Sequence, residues 1–202
     1  MRIRQSHIHI IKSIEITLNF SKKKYHKALM SKSTLKKYLQ SLTKEQLIET
    51  VLEIYDNLKP AKEYLEYYLS PDEKAMFEKY KKVITDEFYP TTKSFNPKLR
   101  FSVARKAIAD FKALNPSPEL IADLMLTLAE QACEFTFDFG DMTEGYYISA
   151  FNNLQAALKY MMKNNLLDKF KKRCQKCSEW ASPCGYGFAD DIEQLVYEYF
   201  GE

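Results

Sequence analysis

Histidine is missing from this sequence after His26, and turn-forming residues are scarce: 202 residues hold 3 His, 5 Gly and 7 Pro. Without an imidazole beyond that point, histidine-dependent acid-base catalysis and histidine ligation of zinc are close to excluded for most of the chain. So few glycines and prolines leave little material for the tight turns of an all-β fold or for collagen-like repeats. A complete nucleotide-binding motif and a catalytic triad are also lacking, and the residues lean away from an enzyme. No apolar run is long enough to suggest a membrane span. What is present, 46% hydrophobic and 28% charged residues, suits a soluble chain that buries one core or two small ones, with a bias towards helix.

The formal charge of +3 hides an asymmetry. Residues 1 to 30 carry seven Lys or Arg and a single acid, Glu15, whereas residues 31 to 202 carry 23 basic and 26 acidic residues. Ile8, Ile10, Ile14, Ile16, Leu18 and Phe20 fall on alternate positions, a strand-like period found nowhere later. Lys12 and Glu15 interrupt that stretch, and no small-residue cleavage pattern follows, so it fails as a secretory signal. The domain is expected to start at Met30, with residues 1–29 either a non-native extension or a flexible basic arm.

From Ser31 onward apolar residues recur at i, i+3 and i+4 with punctuation that suits helix ends. Leu35, Leu39 and Leu42 mark a short helix. Thr43 with Gln46 offers a capping box for a second, carrying Leu47, Val51, Ile54, Tyr55 and Leu58. Pro60 opens a third with Tyr64, Leu65, Tyr68 and Leu69. Ser70-Pro71-Asp72-Glu73 reads as a capping hydroxyl, a first-turn proline and acids, starting a helix through Phe77, Tyr80, Ile84 and Phe88. Residues 90 to 97 lack helical period and are the candidate loop between two lobes. Further helices are expected from Leu99, after Asn115-Pro116-Ser117-Pro118, from Thr143 to Asn164, from Leu166 to Trp180 and from Phe188 to Phe200. Alternation of Phe135, Phe137 and Phe139 before Gly140 suggests an extended or irregular end to one of them. The expected fold is all-α: about nine helices over residues 30–202, as an antiparallel bundle or a short irregular helical solenoid.

The segments LKKYLQSLTKEQLIETVLEIYDNLKPAKEYLEYYL (Leu35 to Leu69) and KLRFSVARKAIADFKALNPSPELIADLML (Lys98 to Leu126), with the GYGF turn (Gly185 to Phe188), carry a family resemblance. On these residues the chain resembles a family of small bacterial helical proteins catalogued only as a domain of unknown function. The resemblance covers nearly everything after Met30 and leaves residues 1–29 outside. It implies a helical intracellular domain and transfers no functional residues.

Three constellations carry chemistry. Between Lys112 and Lys159 there is no Lys or Arg, and seven acids stand there unopposed. Glu130, Glu134 and Asp138 are spaced to line one helix face, with Asp141 and Glu144 beyond Gly140. Oxygen ligands at this density suit Mg²⁺ or Ca²⁺, and the alternative is a solvated helix face. Arg100, Arg105 and Lys106, beside Lys93 and Lys98, form a basic counterpart that suits an anion, in a chain where Lys outnumbers Arg 25 to 5. Cys174 and Cys177 form a C-x-x-C pair, followed by Cys184 and preceded by Cys133. These four thiols are a candidate zinc set, although the pair lies in a helical pattern without a second C-x-x-C, which suits buried structural cysteines.

Residues 31 to 116 sum to +4 and residues 117 to 202 to −7, so a basic half facing an acidic half is the simplest arrangement. Nucleic acid is disfavoured as a partner, because phosphate neutralisation needs a dense basic surface. Tyrosines on the expected core faces suit the boundary between core and water, or a groove that accepts a peptide or helix. The leading expectation is a cytoplasmic adaptor that binds another protein, with no cofactor. The alternative is a divalent-metal-binding module, or a metal-dependent enzyme, built on the carboxylate cluster.

Overall fold

The computed structural model describes residues 31–201 and holds nine helices, with no strand among the described residues. The all-α expectation is met. The alternation over Ile8 to Phe20 lies outside the described residues. By internal contacts the chain divides into two compact units, Met1–Lys59 and Pro60–Glu202.

In the first unit, α1 (Lys32–Gln40) begins where the Thr34 N–H donates to Ser31 Oγ at 3.2 Å. Helix α2 (Lys44–Asn57) starts with the anticipated capping box. The Gln46 N–H donates to Thr43 Oγ1 at 3.2 Å, and the Thr43 N–H donates to Gln46 Oε1 at 2.9 Å. Such a reciprocal cap contributes about 1 kcal/mol. Both helices are amphipathic, yet neither buries a residue.

Helix α3 (Lys59–Leu69), all of it but Lys59 in the second unit, also buries none. Helix α4 (Glu73–Phe88) is capped by Asp72 rather than Ser70. The Asp72 carboxylate reaches the Ala75 N–H at 2.9 Å and adds negative charge at the positive end of the helix, which a serine two residues earlier cannot do. Helix α5 (Phe101–Ala113) starts after Leu99, which has a left-handed φ of +54° instead of joining the helix. Helix α6 (Pro118–Phe139) has the expected first-turn proline and stops at Gly140, whose φ of +89° an L side chain rarely adopts. The alternating phenylalanines are helical throughout: i, i+4 spacing stacks Phe135 near Phe139, with ring centroids 4.5 Å apart, while Phe137 points to solvent. Helices α7 (Glu144–Lys163), α8 (Leu167–Ala181) and α9 (Phe188–Phe200) complete the unit.

Helix α6 is the centre of this unit and packs against α4, α5, α7 and α8, while α9 lies on α7 and α8. From α5 to α9 the connections are three to six residues long, short enough to favour antiparallel neighbours. Residues 90 to 97 form a loop inside this unit, and α4 and α5 on either side of it pack together. The core is aliphatic around α6 and α7, through Leu124, Leu128, Leu154 and Leu158. Each such side chain contributes roughly 1.5–3 kcal/mol by leaving water.

A series of aromatic rings runs through the core. Phe95 stacks on Phe139, and the contacts continue through Phe135, Phe88, Phe101, Tyr146 and Tyr147 to Phe188, with neighbouring centroids 4.4–6.3 Å apart. Most of these pairs are edge-on or tilted, as ring quadrupoles favour. The single tryptophan, Trp180, packs partly buried at the edge of this core on α8.

Candidate functional site

The carboxylates of α6 share a face, as their spacing requires, but they engage different partners. Glu130 is claimed by Arg173 of α8: Nε donates to Oε1 at 2.7 Å and Nη2 to Oε2 at 2.5 Å, while Nη1 donates to Asp123 Oδ1 at 2.6 Å. Burial opposes the charge on Arg173, and the hydrogen bonds and charges of Glu130 and Asp123 more than offset it, so its pKa is raised. Glu134 accepts a bond from Gln131, and its carboxyl titrates above the usual value because of burial and the neighbouring charges of Asp138 and Glu130. Asp138 accepts the Tyr89 hydroxyl at 2.9 Å, and burial together with this bond raises the phenol's pKa. Glu144 stands in the first turn of α7, where its charge complements the dipole.

Asp141 belongs to a different structure. It accepts the Gly185 N–H at 2.9 Å and the Tyr147 hydroxyl at 2.8 Å, which hold its carboxyl below the usual range. The Met142 N–H donates to the same hydroxyl oxygen, and Thr136 Oγ1 lies 3.2 Å from it and 3.4 Å from Cys184 Sγ. This network ties the end of α6 to the GYGF turn between α8 and α9. Tyr186 stands there 80% exposed at a left-handed φ of +57°.

The basic candidates are also distributed. Arg100 is not free for an anion: Nε and Nη2 grip Glu87 at 2.9 and 2.7 Å, and its backbone N–H donates to the same carboxylate. The left-handed turn at Leu99 lets the Lys98 and Leu99 N–H groups both donate to the Glu87 carbonyl. Three successive amides thus wrap one residue of α4. Glu87 is 7% exposed and stays ionised because the Arg100 hydrogen bonds outweigh the effect of its burial, which holds its carboxyl below the usual range. Lys106 pairs with Asp110 one turn on, beside a shallow groove of about 410 Å³ lined by Tyr80, Val83, Val103 and Ala107. Arg105 is exposed on α5.

Cys133, Cys174 and Cys177 are buried between α6 and α8, and Cys184 is partly exposed. A hydrogen bond with Cys133, then burial, pushes the Cys177 thiol up, and burial pushes Cys174 up to about 12. Thiols held this firmly protonated behave as small apolar groups. Among the described residues no three His, Cys, Asp or Glu side chains are placed to share a metal ion.

The least anticipated feature is what stays uncovered. Of the apolar residues whose spacing marked α1 and α2, Leu39, Leu42, Leu47 and Tyr55 are partly buried, while Leu35, Val51, Ile54 and Leu58, with Tyr38, Ile48 and Leu52 beside them, are each 40–55% exposed. On α3, Tyr64, Tyr68 and Leu69 are also exposed. With no fully buried side chain among the described residues of α1 and α2, these helices gain little of the burial that offsets ordering entropy.

No helix among the described residues is long and apolar enough to cross a membrane. No curated protein and no solved structure matches the chain. A family model does match, over residues 30–200, which takes in all nine helices and leaves residues 1–29 outside. The resemblance read from the Leu35–Leu69 and Lys98–Leu126 segments is therefore correct: the chain belongs to a family of unknown function, DUF6155.

Proposed function

We propose that this chain is a protein-interaction module that works in the cytoplasm, with helices whose apolar stripes are completed by a partner. The observation that carries it is the set of seven half-exposed apolar side chains, six on α1 and α2 and the seventh, Leu58, at the C-terminal cap of α2. Contiguous apolar surface of this kind on a soluble domain marks a place of association. The polar candidates support the same reading from the other side. Arg100, Glu130, Asp138 and Asp141 are all engaged in tying one helix or turn to another. Four unpaired thiols suit a reducing compartment.

The test is native fractionation of lysate from cells making the full chain or its Ile48→Asp, Leu52→Asp variant. Neither residue is buried, so the variant should keep the wild-type melting temperature of the α4–α9 core. The wild-type chain should migrate in a larger assembly that the variant does not enter. Identical profiles at the mass of a single chain would refute the interaction reading.

A further inference from the structure

The stripes on α1 and α2 are flanked by opposite charges. Helix α1 carries Lys32, Lys36 and Lys37 and no acid, while α2 carries Glu45, Glu49, Glu53 and Asp56 against one lysine, Lys44. At about 100° per residue, Lys32 and Lys36 lie along the Leu39 edge of the first stripe, and Glu45 and Asp56 lie along the Leu52 edge of the second. Among the described residues none of these four takes part in an ion pair. The segment is neutral in sum but strongly divided, which is the charge pattern of a surface that complements itself after a two-fold rotation.

We propose that the partner of this face is a second copy of the same chain, with α1 of each copy lying against α2 of the other. The proposal rests on the interaction reading above and names its partner. Ile48, Val51 or Leu52, Tyr55 and Leu58 recur at the three-and-four spacing of a helix-pairing seam, as do Leu35, Tyr38 or Leu39, and Leu42. Seven side chains about half exposed offer roughly 600 Å² per copy, close to the ~800 Å² of a standard interface before the flanking lysines and carboxylates are added. The family match takes in both helices and begins at residue 30, so the stripes belong to the shared domain while the basic residues 1–29 do not.

Charge exchange in the full chain tests this. Lys32→Glu with Lys36→Glu makes both helices acidic, and Glu45→Lys with Asp56→Lys makes both basic. By sedimentation velocity at tens of micromolar, the wild-type chain should be a dimer. Each variant alone should dimerise about tenfold more weakly or worse, and an equimolar mixture should recover the wild-type state. A monomeric wild-type chain, or a mixture no more dimeric than its components, overturns the proposal. Photo-reactive p-benzoylphenylalanine in place of Leu52, activated in cells, separates this failure from that of the broader reading. An adduct of twice the chain mass that joins position 52 to residues 32–42 supports the second copy. An adduct with a different protein, or at single-chain mass with residues 1–29, overturns the second copy, and only the first of these leaves the interaction reading standing. No adduct at all removes both.

Discussion

Replacing Arg173 with methionine should destabilise the second unit more than any other single removal of surface charge. The side chain is 35% exposed, and its partners Asp123 and Glu130 are 26% and 15% exposed, so the cluster lies between a surface pair and a buried one. Exposed pairs contribute about 0–1 kcal/mol, and deleting one member of a fully buried pair costs about 3–5 kcal/mol. With the side chain about a third exposed, the expected loss is about 2–3 kcal/mol. It arises chiefly because Glu130 is left desolvated beside Glu134. Methionine keeps the stem, so the loss reports the charge and the fork rather than packing. For a unit of this size that is a fall in melting temperature of roughly 5–10 °C, read by far-ultraviolet circular dichroism. Arg105→Met, on the exposed face of α5, should stay within about 0.5 kcal/mol of wild type. Glu130→Leu combined with Arg173→Met should recover most of the loss, since an apolar pair needs no compensation. If Arg173→Met melts like Arg105→Met, or if the double variant is as unstable as the two single losses added, the assignment is wrong.

Glu134 predicts a pH dependence of definite sign. The folded state holds its proton more tightly than the unfolded chain, so its contribution is favourable below the ordinary value of 4.5 and is lost as pH rises through the folded value. Glu134→Gln should therefore raise the melting temperature at neutral pH, with a gain that vanishes in acid; a gain constant across pH would point to packing instead. At Gly185 a Cβ would lie 3.2 Å from Asp141 Oδ2, so Gly185→Ala should lower the melting temperature by displacing that carboxylate. The same change should be nearly silent in an Asp141→Ala background, and equal effects in both backgrounds would refute the contact. Timed alkylation of the native protein, followed by intact mass, should modify Cys184 first and Cys133, Cys174 and Cys177 only as the protein unfolds. The reverse order would show that the helices around α6 open far more readily than their burial implies.

Helix ends were legible because they are local. Thr43 with Gln46, Pro118 and Thr143 mark real starts, and the last helix runs from Phe188 to Phe200 as its pattern predicts. Partners across the fold were not. The spacing of Glu130, Glu134 and Asp138 shows a shared face, but nothing local says that Arg173, 43 residues on, will take Glu130. Arg173 is the one arginine after residue 4 that the basic constellation left out, and a lone arginine opposite an acidic helix was the available signal. Likewise GYGF reads as a turn, while its tie to Asp141 depends on α6 and α8 ending side by side. Burial itself is ambiguous in sequence. Leu47 to Leu58 and Phe77 to Phe88 have the same apolar period, and among the described residues only the second has fully buried side chains. Periodicity states that a face seeks cover and is silent on whose.

The division of buried side chains also decides what each optical probe can see. The only tryptophan lies on α8, against the core of the second unit, whereas α1 and α2 contribute amide absorption and no indole. Emission excited selectively at tryptophan follows the centre around α6 and is blind to the first two helices, while far-ultraviolet dichroism sums over all nine. In dilute solution the two melting curves should separate, with ellipticity falling before fluorescence moves, because helices of 9 and 14 residues are marginal in water without cover. Under the proposed pairing of two copies, the early loss should merge into the main transition as protein concentration rises.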